Sequence, residues 1–486
     1  MKAFYFARQC ACLVSVVLAL GAQAGQAPAA STDPDRPVSH RDRVYAAEQF
    51  SNTISVTDPA DGKLLGVIRL GDPSATDLSP LYRGALLVHG LGFSPDHHTI
   101  AAVSIGSNSV TFIDTETNAV KHTTYVGRSP HEVFFTPDGK EAWVAVRGEN
   151  YVSVIDTKTF EEKLRIVTPG GPGMQIFSPD GKFGYICSSF SPETVVVDVA
   201  THRIVGHVKQ DSPFCPNIAA TPDGKQVWFT LKDIGRTTVF DARPPFLVIK
   251  SFDTGPITNH VNFANTPKGQ FAYVTVGGLN EVKVFRTDGD FALVATIPVG
   301  ALPHGIWPSG DGSRIYVGLE NGDALATIDT ATNTVIGQDI PIGQAPQALA
   351  YVPDAVRNGS GTLNLQSLAV AGHATHLTLA GRDGGAPTSV SLFDQGLVQV
   401  VQASVTGLIP GTNYVLALSE HVDGGVPLQS LAAFKTNPAG SAVVGVVGPI
   451  RQLVEDDRPA VRRYLVVAPQ VNGVVGAAVQ VQTSTR

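Results

Sequence analysis

Four histidines recur at near-regular intervals: His89, His131, His260 and His304. His89 and His131 are 42 residues apart, and His260 and His304 are 44 apart. Neutral imidazole is a common ligand for zinc, copper, iron and nickel, and it also serves as a general base. Histidines this far apart act together only if a repeating scaffold gathers them. The bland alternative is structural: His-Gly at residues 89–90 and 304–305 would be a repeat feature, with each imidazole capping backbone groups or holding water. Gln347 falls on the same beat, and Arg83, Arg147, Glu149, Lys232, Asn280, Glu320 and Asp323 fall in segments between its elements.

The scaffold is legible as a repeat. A tight-turn motif recurs at Ser94-Pro95-Asp96, Thr136-Pro137-Asp138-Gly139, Ser178-Pro179-Asp180-Gly181, Thr221-Pro222-Asp223-Gly224, Thr266-Pro267-Lys268-Gly269, Ser309-Gly310-Asp311-Gly312 and Val352-Pro353-Asp354. Its second position steps by 42, 42, 43, 45, 43 and 43 residues. Proline presets φ for such a turn, and glycine after Asp accepts a positive φ. Alternating β runs ending in Asp58, Asp114, Asp156, Asp198, Asp241 and Asp329 keep the same beat, with Arg286 in the sixth unit. These aspartates precede Thr- or Asn-rich turns, where a carboxylate caps backbone N–H groups, so their repetition reads as structure rather than catalysis.

Each unit reads as four short strands, a to d, and four strands per unit repeated radially make a β-propeller blade. The first unit lacks strand a. The fragment Gln347–Val352 is a strand a with nothing after it, so pairing the two ends closes a seven-bladed ring over residues 43–356. About 13 extra residues lie near Asp72–Val88, between the first two units, with Tyr82 and Arg83 as candidate functional tips. In a propeller, strand a lines the central channel. The starts of strand a, the b–c loops and the d–a connections share one face. The expected ring at that mouth is His89, His131, Gly173, Pro216, His260, His304 and Gln347.

Ala272-Tyr273-Val274-Thr275-Val276, the Phe-Ser-Pro-Asp-Gly turns and the Val-x-Val-Ile-Asp strands resemble the YVTN-repeat β-propeller family over about 310 residues. The resemblance implies a propeller in an exported or surface protein. It does not imply a particular activity, since related propellers bind metals, haem or nucleic acid or act as lactonases and lyases. A His ring is also similar to the copper-cluster mouth of nitrous-oxide-reductase propellers. This chain departs from that pattern: blades 4, 5 and 1 lack the His, and no cysteine follows Cys215 to build a second copper domain.

The beat stops after Asp354. Residues 357–364 read as a linker, and 365–486 as a Val/Ala/Gly-rich β-sandwich. Its Leu-x-Pro-Gly turn followed by Gly-x-x-Tyr-x-Leu is similar to immunoglobulin or fibronectin-type domains. At the other end, Lys2 and Arg8, an apolar run from Cys10 to Ala22 and Ala22-Gln23-Ala24 read as a signal peptide over 1–24, followed by a flexible lead-in over 25–42. The run is too short to span a membrane, and no transmembrane segment is expected. The protein is therefore expected to be exported, periplasmic or extracellular. There, Cys187 and Cys215 would be either a disulfide or two buried thiols.

Composition narrows the rest. The 486-residue chain is 43% hydrophobic and 16% charged, with a net charge of −7. That balance disfavours nucleic acid as a partner. There is no Cys-x-x-Cys-His for covalent haem, no phosphate loop and no Gly-x-Ser-x-Gly, so no motif names catalytic residues. Three functions stay open. One is a binding protein presenting the His-lined mouth to a small ligand or protein partner, through His89, His131, Arg147, His260, His304, Glu320, Gln347 and Arg83. A second is a metal-dependent enzyme, candidate redox, holding a transition-metal ion on His89, His131, His260 and His304. The third is a lactonase- or lyase-like enzyme with a His base and Arg147 as anion clamp.

Overall fold

The computed structural model describes residues 35–486 except 74–80, 383, 396–397, 449–453, 455–457, 459–460 and 486. The signal-peptide segment and part of the 72–88 insertion thus lie outside the described residues. Within them the chain is a seven-bladed β-propeller followed by a second, nearly closed β-domain.

Blades 2 to 7 are consecutive antiparallel sheets whose innermost strands begin at Val88, Pro130, Pro172, Ile218, Thr258 and Pro303; blades 2 to 6 have four strands, and in blade 7 the outermost is split into Thr334–Val335 and Ile340–Pro341. Blade 1 takes strands b to d from Arg43–Glu48, Thr53–Asp58 and Lys63–Arg69, and strand a from Pro346–Val352. Val44 pairs with Tyr351 and Ala46 with Leu349, so the two ends of the ring close one sheet. In each fully built turn, Asp holds the Ser/Thr hydroxyl and a backbone amide. Thr136 Oγ1 donates to Asp138 at 2.7 Å, and the Lys140 amide donates to the same oxygen at 3.1 Å. In the second unit His97 takes the left-handed φ of 65° that Gly139, Gly181, Gly224 and Gly312 take elsewhere. The repeated aspartates are caps: Asp114, Asp198 and Asp329 accept the Thr117, Thr201 and Thr332 amides at 2.8–2.9 Å.

Aromatic and β-branched side chains fill the gaps between blades. Trp143, Trp228, Tyr185, Tyr273 and Tyr316 are all fully buried, and Trp143 stands edge-on to Phe177 in the next blade at 5.0 Å. Edge-to-face pairs of this kind add about 1 kcal/mol beyond the area they bury. Cys187, on strand b of blade 4, is joined in a disulfide to Cys215, which leads into blade 5.

The second domain is one curled sheet. Its strands run in the order 428–435, 413–419, 464–471, 480–485, 374–381, 388–395, 398–405, 442–447. The two halves pack over one core of Leu377, Leu392, Val401, Leu416, Leu465 and Val467, as in a sandwich. The connecting stretch is pinned to the propeller. Arg43 donates to the Ser360 carbonyl at 2.7 Å, and Val67 and Gln366 exchange backbone hydrogen bonds at 2.9 Å. The chain thus runs past blade 1 to the face where strand a begins, and there the second domain docks.

Candidate functional site

Each histidine is aimed by a local device. The residue before strand a is left-handed: Leu87, Ser129, Ile257, Leu302 and Ala345 have φ of 51–57°. A b–c loop side chain from the preceding blade holds it there. The Asn52, Asn108, Asn280 and Asp323 side chains accept the amides of Leu87, Ser129, Leu302 and Ala345 at 2.7–3.0 Å. Asn280 and Asp323 therefore act as joints of the scaffold. The a–b register then slips within Val88–Leu91, Pro130–Glu132, Thr258–Val261 and Pro303–Ile306. A bulge at that point re-aims a side chain out of the strict alternation. Gly305 follows His304 because blade 1 crosses there: a Cβ at Gly305 would lie 2.7 Å from the Gln347 carbonyl oxygen.

The result is one buried cluster. His89, His131, His260 and His304 are each at most 6% exposed. The His89 and His131 ring centroids are 4.3 Å apart, His260 and His304 are 4.9 Å apart, and His89 and His304 are 6.3 Å apart. Burial, reinforced by surrounding positive charge, holds His89, His131 and His260 well below the ordinary histidine pKa. These imidazoles are therefore neutral, with lone pairs available.

Glu132, adjacent to His131, joins them. Ligand atoms of His89, His131 and Glu132 all lie within 4.8 Å of one another. His89 Nδ1 and Glu132 Oε1 are 3.8 Å apart, too far for a hydrogen bond, and neither has any other partner. Two ligands of one zinc-like ion at tetrahedral angles sit about 3.4 Å apart, so a small rotation closes the gap. His131 Nδ1 lies 2.7 Å from the Gly173 carbonyl. That contact requires a proton on Nδ1 and leaves Nε2 as the ligand atom, the orienting arrangement usual at metal-bound histidine. Burial pushes the Glu132 carboxyl up to about 8, against the pull of Arg147. Glu132 and His260 also line a small cavity of about 20 Å³, space for about one water-sized occupant.

His304 belongs to a second unit. Its Nδ1 is 2.7 Å from Glu320 Oε2. Burial opposes ionisation of Glu320, but His304 and Lys232 outweigh it and hold the carboxyl at about 2. Burial lowers His304 as well. The state that satisfies both groups is an ionised Glu320 accepting from a neutral His304 protonated on Nδ1, which frees His304 Nε2 to take a proton.

The second domain reaches this same unit. Gln402 Nε2 donates to Glu320 Oε1 at 2.5 Å. Around it, Asn321 donates to Ser389, His376 Nε2 lies 3.0 Å from Asp323, and Phe393 stacks on Phe50 at 4.0 Å. Domain contacts therefore surround the mouth on the side of blades 7 and 1, and the Ala439 amide, donating to the Asp233 carbonyl at 3.4 Å, carries them round to blade 5.

The expected residues thus divide. His89, His131, His260, His304, Gln347 and Glu320 come together. Arg147 and Lys232 border them through their electrostatic action on the same groups. Arg83 is exposed and lines a groove between blades 1 and 2, away from the cluster. The Tyr82 hydroxyl is tied to the Asp72 amide and Ala85 carbonyl of its own loop. Sequence reasoning passed over Glu132 and Gln402. The signal for Glu132 was its phase: the residue after the ring position is Gly90, Met174, Asn217, Val261, Gly305 or Ala348 in the other blades. A lone carboxylate in that series is an anomaly. Gln402 carried no such signal.

This arrangement defines a seven-bladed propeller with a buried histidine–carboxylate cluster at a mouth its own second domain overlies. No protein-family model matches the chain. No curated protein matches it either. Solved structures do match in fold. Hydrazine synthase from Kuenenia stuttgartiensis aligns with a TM-score of 0.52 at 19% identity, over 66% of this chain and 99% of that one. A functionally unknown protein from Desulfotomaculum acetoxidans gives 0.54 at 15% identity, over 64% and 98%. The periplasmic gluconolactonase PpgL from Pseudomonas aeruginosa gives 0.50 at 18% identity, over 64% and 99%. At these identities the likeness is one of fold.

Proposed function

We propose that this is an exported propeller enzyme with a metal-dependent centre at the channel mouth, acting on a small molecule. The observation that carries the reading is the buried triad of His89, His131 and Glu132, each offering a ligand atom within 4.8 Å of the others, with His89 Nδ1 and Glu132 Oε1 unpartnered among the described residues. Two His and one carboxylate with open positions suit a catalytic rather than a closed structural ion. A bound divalent ion would polarise an oxygen of the substrate or of water. His304 Nε2 would accept the proton, while Glu320 keeps its ring in the required tautomer and stabilises the charge that develops. The lactonase-like reading falls within this scheme and has the fold of the gluconolactonase neighbour in its favour. Export is supported by the basic and apolar N-terminus and by a disulfide, which favours an oxidising compartment.

The test is elemental analysis of protein purified from its exported compartment without a metal-binding tag. The expected result is about one transition-metal ion per chain, lost in His89→Ala/His131→Ala and weakened in Glu132→Gln. Wild-type protein that carries no metal, and takes up none from zinc, iron(II) or copper(II), would refute the centre.

A further inference from the structure

The b–c loops hold a second ring that the histidines do not explain. The first residue after strand b is Gln49, Ile105, Arg147, Ser189, Lys232, Gly277 and Glu320 in blades 1 to 7. Glu320 shows where this position reaches: its carboxylate touches His304 in the channel ring and Gln402 above it. By the same register, Arg147 leaves blade 3 directly after Val146, which pairs with Pro130 beside His131. Lys232 leaves blade 5 after Leu231, two residues past Thr230, whose amide donates to the Asn217 carbonyl at the start of strand a at 3.0 Å. Neither cation has an ion-pair or hydrogen-bond partner among the described residues, and both are largely withdrawn from solvent.

Blade 4 lies between them. Its channel-ring residue is Gly173, its second-ring residue is Ser189, and blade 5 offers Pro216 in the channel ring. Blades 4 and 5 thus form a stretch of the mouth without an imidazole, as blade 1 with Gln347 does elsewhere, and the two cations border blade 4 within it. Glu320 is already committed to His304 and Gln402. Arg147 and Lys232 thus bring two cations to this side of the mouth, and His260 Nε2, on a ring only 6% exposed, is unpartnered beside them among the described residues.

We propose that Arg147 and Lys232 form an anion subsite over blade 4, opposite the His304–Glu320 pair, and that the molecule the protein acts on is a small organic carboxylate. The subsite deepens the enzyme reading and rests on it for the word substrate. A guanidinium matches a carboxylate with two parallel N–H donors, and an ammonium adds a point charge from the other side. The carboxylate anchored there would leave the rest of the molecule over His89, His131 and Glu132.

The experiment is calorimetric titration of the full chain with acetate, lactate and succinate, with acetamide as the neutral control. Metal content is measured on the same samples. The expected result is binding of at least one carboxylate, weakened by added chloride, and none of acetamide. Arg147→Met and Lys232→Met, which keep length but remove charge, should each weaken it by about tenfold or more, with unchanged melting temperature and metal content. Carboxylate binding equal in wild type and both variants would overturn the subsite, as would a wild type that binds none of the three. Arg147-dependent binding in a protein that carries no metal and takes up none from zinc, iron(II) or copper(II) would refute the metal centre and leave the subsite standing.

Discussion

Glu48 offers a direct test of how the ring is closed. It ends strand b of blade 1, is fully buried, and accepts hydrogen bonds from the Thr53 hydroxyl and, at 3.2 Å, the Ser55 amide. Gly343, in the connection that brings the chain back to blade 1, packs against the carboxyl, where a Cβ would lie 2.6 Å from Glu48 Cδ. Burial pushes the carboxyl up from 4.5 to about 7, and the hydrogen bonds from Thr53, Ser55 and Gly343 only partly oppose it. A pKa raised in the folded state means that folding favours the protonated form. That contribution is complete below about pH 4.5 and is lost as pH rises through about 7. At about 1.4 kcal/mol per pKa unit the gap is worth about 3 kcal/mol, most of which falls between pH 5 and 8. Glu48→Gln keeps the shape and removes the titration. Trp143, Trp228 and Trp307 all lie in the propeller, so tryptophan fluorescence during urea unfolding reads that domain. Between pH 5 and 8 wild type should lose about 2–3 kcal/mol more stability than Glu48→Gln. Equal pH slopes for the two proteins would refute the assignment of a buried, protonated carboxyl at the seam.

Other outcomes follow from the same contacts. Gly305→Ala should destabilise the propeller by about 1–3 kcal/mol in the same assay, because its Cβ would meet backbone of blade 1 rather than a flexible side chain. Gln402→Ala and His376→Ala should each loosen the second domain from the mouth. Faster amide exchange over 399–405 and around Asn321, with the propeller strands unchanged, would be the measured sign. Their effects should couple with those of Glu320→Gln and Asp323→Asn respectively, by about 0.5–1.5 kcal/mol in a double-mutant cycle.

How much was legible depended on how local the cause was. The seven-bladed architecture was, because each blade repeats the same turn chemistry and period-2 pattern, and both ends of the repeat are incomplete in complementary ways. The phase of His89, His131, His260, His304 and Gln347 was legible for the same reason. Arg83 was grouped with them on loop position alone. The insertion that carries it has no repeat to set its phase, and the structure leaves its side chain exposed between blades 1 and 2.

The sequence by itself determined the repeat, its closure and the rank of residues facing the channel, since turns and alternation are short-range and recur at every blade. Tertiary structure decided what those residues can do. A register slip within Pro130–Glu132 marks a bulge at His131 and Glu132, and ring closure brought His304 of blade 7 to within 6.3 Å of His89 of blade 2. Docking of the second domain then put Gln402 on Glu320, at a sequence separation of 82 residues. No local pattern encodes that contact, because it depends on how two separately folded sheets pack.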